Sequence, residues 1–220
     1  MDKRNQPDYE KNFREFWERV DDIYAHRGED PDGRFKKGID PEQFKGQVVL
    51  DYGCGGGFWG EQLAPHVEHY IGLDISQKSI DAAEKRLKDF DNVELKRVDA
   101  LSNFKKQKVN TIFAFWVVSH MPSEPYLQKF LKALEKFDAD RIYIQFRHAE
   151  KSEFRLTNPA WNILTNAEYL NEVLNYDVEY ESEINPTNKS QLVIFRHPDL
   201  EVVDDSGSDT VQNNEQPAST

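Results

Sequence analysis

Two acids placed around a cluster of glycines are the residues of this chain with the clearest chemistry. Val48-Val49-Leu50 is apolar, Asp51 follows at once, and Gly53, Gly55, Gly56 and Gly57 come next. A short apolar run bounded by a turn signal reads as a buried strand. The residues that follow, FWGEQLAPHV from Phe58, read as a short helix. Strand, glycine turn and helix open a βαβ unit, and ligands bind at such turns. Glycine adopts backbone angles that other residues avoid, and it lets a ligand approach the main chain. The helix after it directs N–H groups and the positive end of its dipole at the same place. The second acid, Asp74, closes the run His69–Asp74, 21 residues after Gly53. An acid about 20 residues beyond the turn, at the end of the second strand, can hydrogen-bond ribose hydroxyls.

Two chemistries fit these residues. Gly55, Gly57 and Gly60 match G-x-G-x-x-G, the dinucleotide pattern. That reading makes the chain an NAD-linked oxidoreductase, but no hydride-handling Tyr/Lys or His pair is evident. A glycine turn without a ligand is the bland alternative, and ordering so many glycines is costly without a purpose. The wider stretch favours the second chemistry. Asp51-Tyr52-Gly53-Cys54-Gly55-Gly56-Gly57 resembles the D-x-G-C-G-x-G motif of the class I, Rossmann-like methyltransferases, which use S-adenosylmethionine. The resemblance covers the chain from Gly46 to His197.

Several roles are implied by that resemblance. Asp51 would meet the cationic amino group of the cofactor, directly or through water, while Gly53, Cys54, Gly55 and Gly57 pack against its methionine part. Asp74, with Ile75 beside it in G-L-D-I-S, would hold the ribose. Asp99 after the third strand would meet the adenine amino group, and Ala100 would offer its backbone N–H to the ring. The cationic sulfur favours aromatic faces, for which Tyr52, Phe115 and Trp116 are candidates; core packing is the competing use of all three. His120-Met121-Pro122 resembles a His-x-Pro-like segment of family members that act on small molecules, in the loop where the family places the methyl and its acceptor. A histidine titrating near neutrality could take a proton from an acceptor hydroxyl, although a lone loop histidine is more often structural. Arg147 and His148 follow the fifth strand on the acceptor side. They could hold an anionic or hydroxylated acceptor, or be solvated.

The elements that must position these residues follow from periodicity. Asp8 to His26 carries Phe13, Phe16, Trp17, Val20, Ile23 and Tyr24 at helical spacing, so it is expected to be an amphipathic helix. Its stripe packs on the domain, or it covers a substrate pocket as N-terminal segments of the family do, with His26, Arg27 and Arg34 near the acceptor. The Gly- and Pro-rich text from Gly28 to Pro41 is a loop, serving as a lid or as a connector. Strands are expected at 47–52, 69–74, 93–98, 110–117 and 141–146, with helices at 76–90, 126–137 and 167–176. Ser119 to Pro125 and Thr157 to Asn166 read as loops. Two last strands, 177–184 and 191–196, flank NPTNK and read as an antiparallel hairpin. A parallel sheet ending in a hairpin marks the methyltransferase fold. The fold class expected is α/β, doubly wound, and the resemblance implies a mostly parallel seven-stranded sheet ordered 3-2-1-4-5-7-6. The domains expected are a helix and loop over 1–45, the methyltransferase domain over 46–198 and a disordered acidic tail over 199–220.

Composition narrows the function classes. At 220 residues and 38% apolar content the chain supports one well-packed domain. No run approaches the apolar length of a membrane span and no apolar leader is visible, so a cytoplasmic protein is expected. One cysteine excludes an internal disulfide and a multi-cysteine metal site, and no metal is expected. The net charge is −12; residues 199–220 hold six acids and no Lys or Arg, leaving 28 basic against 34 acidic residues in the rest. An acidic body argues against a broad nucleic-acid footprint. The family's N-P-P-Y-type segment for amino groups is absent after the fourth strand, where Phe115-Trp116-Val117-Val118 stands. A small-molecule or sugar-like acceptor is favoured, with methylation of RNA or protein as the runner-up. A binding module that has kept the fold without the activity is the further alternative.

Overall fold

The computed structural model describes residues 9–19, 39–98, 108–150, 153–154 and 163–200. Asp99, Ala100, His26, Arg27 and Arg34 lie outside the described residues, as does nearly all of the acidic tail.

Seven strands form one sheet. They are β1 (Val48–Tyr52), β2 (His69–Asp74), β3 (Val93–Arg97), β4 (Thr111–Phe115), β5 (Arg141–Arg147), β8 (Asp177–Glu181) and β9 (Ser190–Arg196). Their order is β3-β2-β1-β4-β5-β9-β8. The first five run parallel, whereas β9 is antiparallel to both β5 and β8. This is the doubly wound order with a terminal hairpin expected from the sequence. The hairpin places β9 between β5 and β8, so the last strand of the chain is internal and β8 forms the edge. Two further short strands, β6 (Glu153–Phe154) and β7 (Ile163–Leu164), pair antiparallel beside the main sheet. Ile163 and Leu164 fall in a stretch read as loop, because two-residue strands carry too few residues to show a period.

The helices are α1 (Tyr9–Arg19), α2 (Phe58–Leu63), α3 (Gln77–Leu87), α4 (Glu124–Leu134) and α5 (Ala167–Val173). Each α3, α4 and α5 start has a side-chain cap: Ser76, Ser123 and Asn166 accept from the backbone N–H three residues on. The expectation that α4 begins at Tyr126 is corrected by two residues. Ser123 caps it, and Pro125 sits in the first turn, where a missing N–H costs nothing.

The sheet is buried on two faces because a parallel sheet needs cover on both. Along β4 the side chains alternate. Ile112 and Ala114 join Phe130, Leu131 and Phe146 in one core, which α4 and α5 cover. Phe113 and Phe115 join Trp59, Leu63 and Leu87 in the other, under α2 and α3. Ile39 and Phe44 also belong to that second core, at 3% and 1% exposure, so the packed body reaches ahead of the Gly46 boundary expected from sequence. Phe44 packs edge-on against Phe113 and Tyr143, anchoring the approach to β1.

One polar pair lies inside this second layer. Tyr70 on β2 donates its phenol to Asp51 Oδ2 on β1 at 2.7 Å, and both residues are buried. Burial, and then the charge of Asp51, pushes the Tyr70 phenol well above its ordinary value, so it stays protonated and donating. Tyr70→Phe should destabilise the protein by about 1.5–3 kcal/mol, the scale of a lost hydrogen bond to a charged group. Urea unfolding measures this, and an unchanged midpoint would mean that other groups hold the Asp51 charge.

Candidate active site

The parallel strands β1, β2, β4 and β5 all end at one edge of the sheet, and the chemistry-bearing residues of the sequence sit at those ends. The turn after β1 is built by its glycines. Gly53 has φ +81° and Gly55 φ +54°, angles in the left-handed region that a side chain resists. A Cβ on Gly53 would lie 2.4 Å from Val117 Cγ2, so the turn and the loop after β4 interlock there. Around Gly55 the space is open, with nothing within 4 Å of where a Cβ would stand. Gly60 serves packing instead: a Cβ there would meet Leu87 and the Tyr70 ring at 2.7–2.8 Å. The third glycine of the literal G-x-G-x-x-G is thus placed by a close helix–strand contact.

Asp74 ties this turn to its neighbours. Its Oδ2 accepts from Gly55 N–H at 3.0 Å and its Oδ1 from Ser76 N–H at 2.9 Å. The carboxylate is half-buried at the end of β2. Desolvation raises its pKa above the ordinary 3.8, and the backbone N–H groups act in the opposite sense. Cys54 is buried under the same turn, and burial together with the charges of Asp74 and Asp51 keeps its thiol protonated. Asp51 is 1% exposed and bonded to Tyr70, so it underlies the turn.

The β4 end carries a strained corner. Trp116 has φ +67°, an outlier for a bulky residue. Its N–H donates to Gln145 O at 2.7 Å, which holds the corner against β5. Phe115 turns into the core, edge-on to Trp59 at 5.4 Å, because its position on β4 shares the face of Phe113. Trp116 is half-buried at the edge. Tyr52 also packs in the core, against Phe130 at 5.0 Å. A single 3₁₀ turn, Val118–His120, then presents His120, half-buried. Buried Ser119 accepts from Arg147 N–H at 3.0 Å, joining the β4 loop to the β5 end. His148 Nδ1 lies 2.9 Å from Gln191 Oε1, and its backbone bridges Thr165.

Sequence reasoning missed how α1 reaches this edge. Trp17 meets the His120 ring edge-on at 4.7 Å, and Phe13 meets Tyr126 of α4 at 6.3 Å. Glu18 accepts from Gln77 N–H at 3.2 Å and pairs with Arg97 of β3 at 3.4 Å. The helix thus spans the crevice from the β4 loop to the β3 side. The apolar stripe marked Phe13 and Trp17 as inward-facing, but Glu18 carried no signal separating it from a solvated acid. A groove of about 1110 Å³ lies elsewhere, over the β5-β9-β8 part of the sheet face, and includes none of these strand-end residues.

A doubly wound sheet with a terminal hairpin is the fold of the class I methyltransferases. The open space above Gly55 and the half-buried carboxylate of Asp74 fit the cofactor of that class. A family model described as "Methyltransferase domain" matches residues 49–139. Over those residues the chain is similar to methyltransferases, and the cofactor of the class I members is S-adenosylmethionine. It is 29% identical over 126 residues to a ubiquinone biosynthesis O-methyltransferase of Paraburkholderia phytofirmans, covering 51% of this chain and 54% of that one. It is 32% identical over 95 residues to the Coxiella burnetii protein of the same name, covering 42% and 40%. The chain therefore spans about half the length, or less, of these relatives. The crystal structure of the N-methyltransferase NodS from Bradyrhizobium japonicum WM9 with S-adenosyl-L-homocysteine superposes with a TM-score of 0.67 at 17% identity, over 87% of this chain and 100% of that one. That likeness shows the fold.

Asp74→Ala leaves two backbone N–H groups without their acceptor and should weaken S-adenosylhomocysteine binding by about 1–3 kcal/mol in calorimetry. Unchanged affinity would remove Asp74 from the cofactor site. A carboxyl whose folded pKa is raised stabilises the fold below its unfolded value, and that contribution is lost as pH rises through the folded value. Asp74→Asn should therefore reduce the fall in ligand-free stability above about pH 4. Parallel melting curves of the two proteins would expose a wrong sign.

Proposed function

We propose that this protein methylates a hydroxyl of a small-molecule acceptor, with His120 as the proton acceptor. The single observation carrying this reading is the meeting of two half-sites at one sheet edge. The Gly53–Gly57 turn and Asp74 form one, and His120, with Arg147 behind it, forms the other. S-adenosylmethionine supplies a methyl group on a cationic sulfur, which leaves as a neutral thioether.

In this reading the chain's own residues bind, orient and shield. Asp74 and Ile75 hold the ribose, the turn from Gly53 to Gly57 takes the methionine part with Asp51 beneath it, and Asp99 and Ala100 hold the adenine. Trp116 stands at the corner between the halves, where its face favours positive charge. His120 takes the acceptor proton, and Arg147 and His148 flank the acceptor's far side. Placement of the reactants supplies much of the rate in such a transfer.

Three features support a small hydroxylated acceptor. Helix α1 lies across the crevice and narrows it, with Trp17 already on the His120 ring. A net charge of −12 disfavours a polyphosphate chain. Relatives named as O-methyltransferases match 51% and 42% of the chain and make oxygen the preferred atom. Methylation of RNA or protein is the second reading, and these features weigh against it.

Labelled methyl from S-adenosylmethionine, offered with a fractionated lysate, should enter the small-molecule fraction. Label in nucleic acid or protein would overturn the acceptor class. His120→Ala should then lower turnover by about 10²–10⁴-fold, the usual contribution of a general base, with little change in cofactor affinity. Unchanged turnover would return His120 to a structural role.

A further inference from the structure

Consecutive residues on an α-helix point about 100° apart. Trp17 and Glu18 of α1 therefore diverge, and each lands in a different half of the site. Trp17 lies on the ring of His120 at 4.7 Å. Glu18 reaches the first turn of α3, accepting from Gln77 N–H at 3.2 Å, with Ser76 Oγ at 3.5 Å. Its Oε1 also pairs with Arg97 at 3.4 Å, and Arg97 Nε donates to Ile75 O at 3.2 Å. Ile75 and Ser76 directly follow Asp74, so Glu18 and Arg97 bracket the residues that carry the ribose acid.

Two carboxylates are thus held near one another. The negative charge of Glu18 is among the influences that raise Asp74. Arg97 and the N–H groups opening α3 offset that repulsion. Hydroxyl donors bound at Asp74 would offset it further, by hydrogen-bonding the charged form. A ligand that supplies such donors makes the Glu18 contacts more favourable, and linkage requires that the Glu18 contacts favour the ligand equally. The coupling can pass to the acceptor half through α1, because Trp17 adjoins Glu18 in the same helix.

We propose that Glu18 and Arg97 form a clasp through which cofactor occupancy at Asp74 sets the position of Trp17 against His120. Glu18 is a positioning residue: it acts on the acceptor half through the helix, and on the cofactor through the strand-end acid. The consequence is an order of events. The cofactor half fills, α1 is held more tightly, and the wall beside His120 is completed for the acceptor. This rests on the cofactor and acceptor halves assigned above.

S-adenosylhomocysteine is the probe, since it needs no acceptor. In the full chain it should shift the indole N–H resonance of Trp17 and the ring resonances of His120. Glu18→Gln and Arg97→Gln should each speed its release about two- to fivefold, the scale of a partly exposed ion pair. Each should also shrink both resonance shifts. The double variant should release no faster than the worse single one, as residues sharing one interaction are not additive. A purely structural pair would lower melting temperature and leave the ligand-induced shifts intact. Unchanged release and unchanged shifts in Glu18→Gln would overturn the clasp, as would additive effects in the double variant. Failure of the wild-type protein to bind S-adenosylhomocysteine would overturn the cofactor reading and the clasp together, whereas binding with an unresponsive Trp17 overturns the clasp alone.

Discussion

The structure depends on one carboxylate accepting two backbone N–H groups. Asp74 binds Gly55 N–H with one oxygen and Ser76 N–H with the other. The first bond fixes the turn after β1 against the end of β2. The second fixes the entry to α3, whose cap is Ser76 itself. Such charge-assisted bonds are stronger than neutral ones. They also keep an acid at the sheet edge ionisable despite burial, since the N–H groups oppose the desolvation that raises it. A turn with three glycines at positive φ would otherwise be entropically loose. Here it is clamped from β2 on one side and by Val117 on the other.

Beneath the clamp several buried polar groups have partners, whereas Gln145 Oε1 and Thr165 Oγ1 are buried without a hydrogen bond among the described residues. Asp51 is buried and receives the Tyr70 phenol. Asn92 donates to two carbonyls near the end of α2, at Ala64 and Val67. Asn110 ties β4 to β1 by accepting from Val48 N–H. These bonds hold the strand starts and ends in register, which is a requirement for residues from four strands to meet at one edge. Rigid strands and caps then place the site more precisely than loops would.

The fold was legible because its signals are local and repeated. Apolar runs at β1, β2, β4 and β5, the NPTNK turn before β9, and Ser76 as a cap each follow from neighbouring residues. The meeting of the glycine turn with Asp74 was legible for the same reason: Gly53, Gly55 and Asp74 belong to one βαβ unit, and the spacing of that unit is set by chain geometry. What escaped the sequence depends on contacts between distant segments. Phe115 and Trp116 are adjacent and chemically alike, yet Phe115 turns into the core while Trp116 takes a left-handed backbone at the edge. That difference comes from the bond of Trp116 N–H to Gln145 O on β5, 29 positions away. Glu18 looked like any surface acid until α3 and β3 were brought beneath it. The start of α4 is encoded locally by Ser123 and Pro125, but a Pro fits a loop as well as a first helical turn.

By itself the sequence determined most of the strands, the glycine turn and the acid that closes β2, because backbone sterics and hydrophobic period act over a few residues, while the strand order followed from the family resemblance. Tertiary structure decided which residues meet at the ends of β4 and β5. It set α1 across the crevice, brought Trp17 to His120, joined Arg147 to Ser119, and committed His148 to Gln191. Those pairings join residues far apart in the chain. No local period encodes them, and they exist only once both faces of the sheet are covered and the strand ends share one edge.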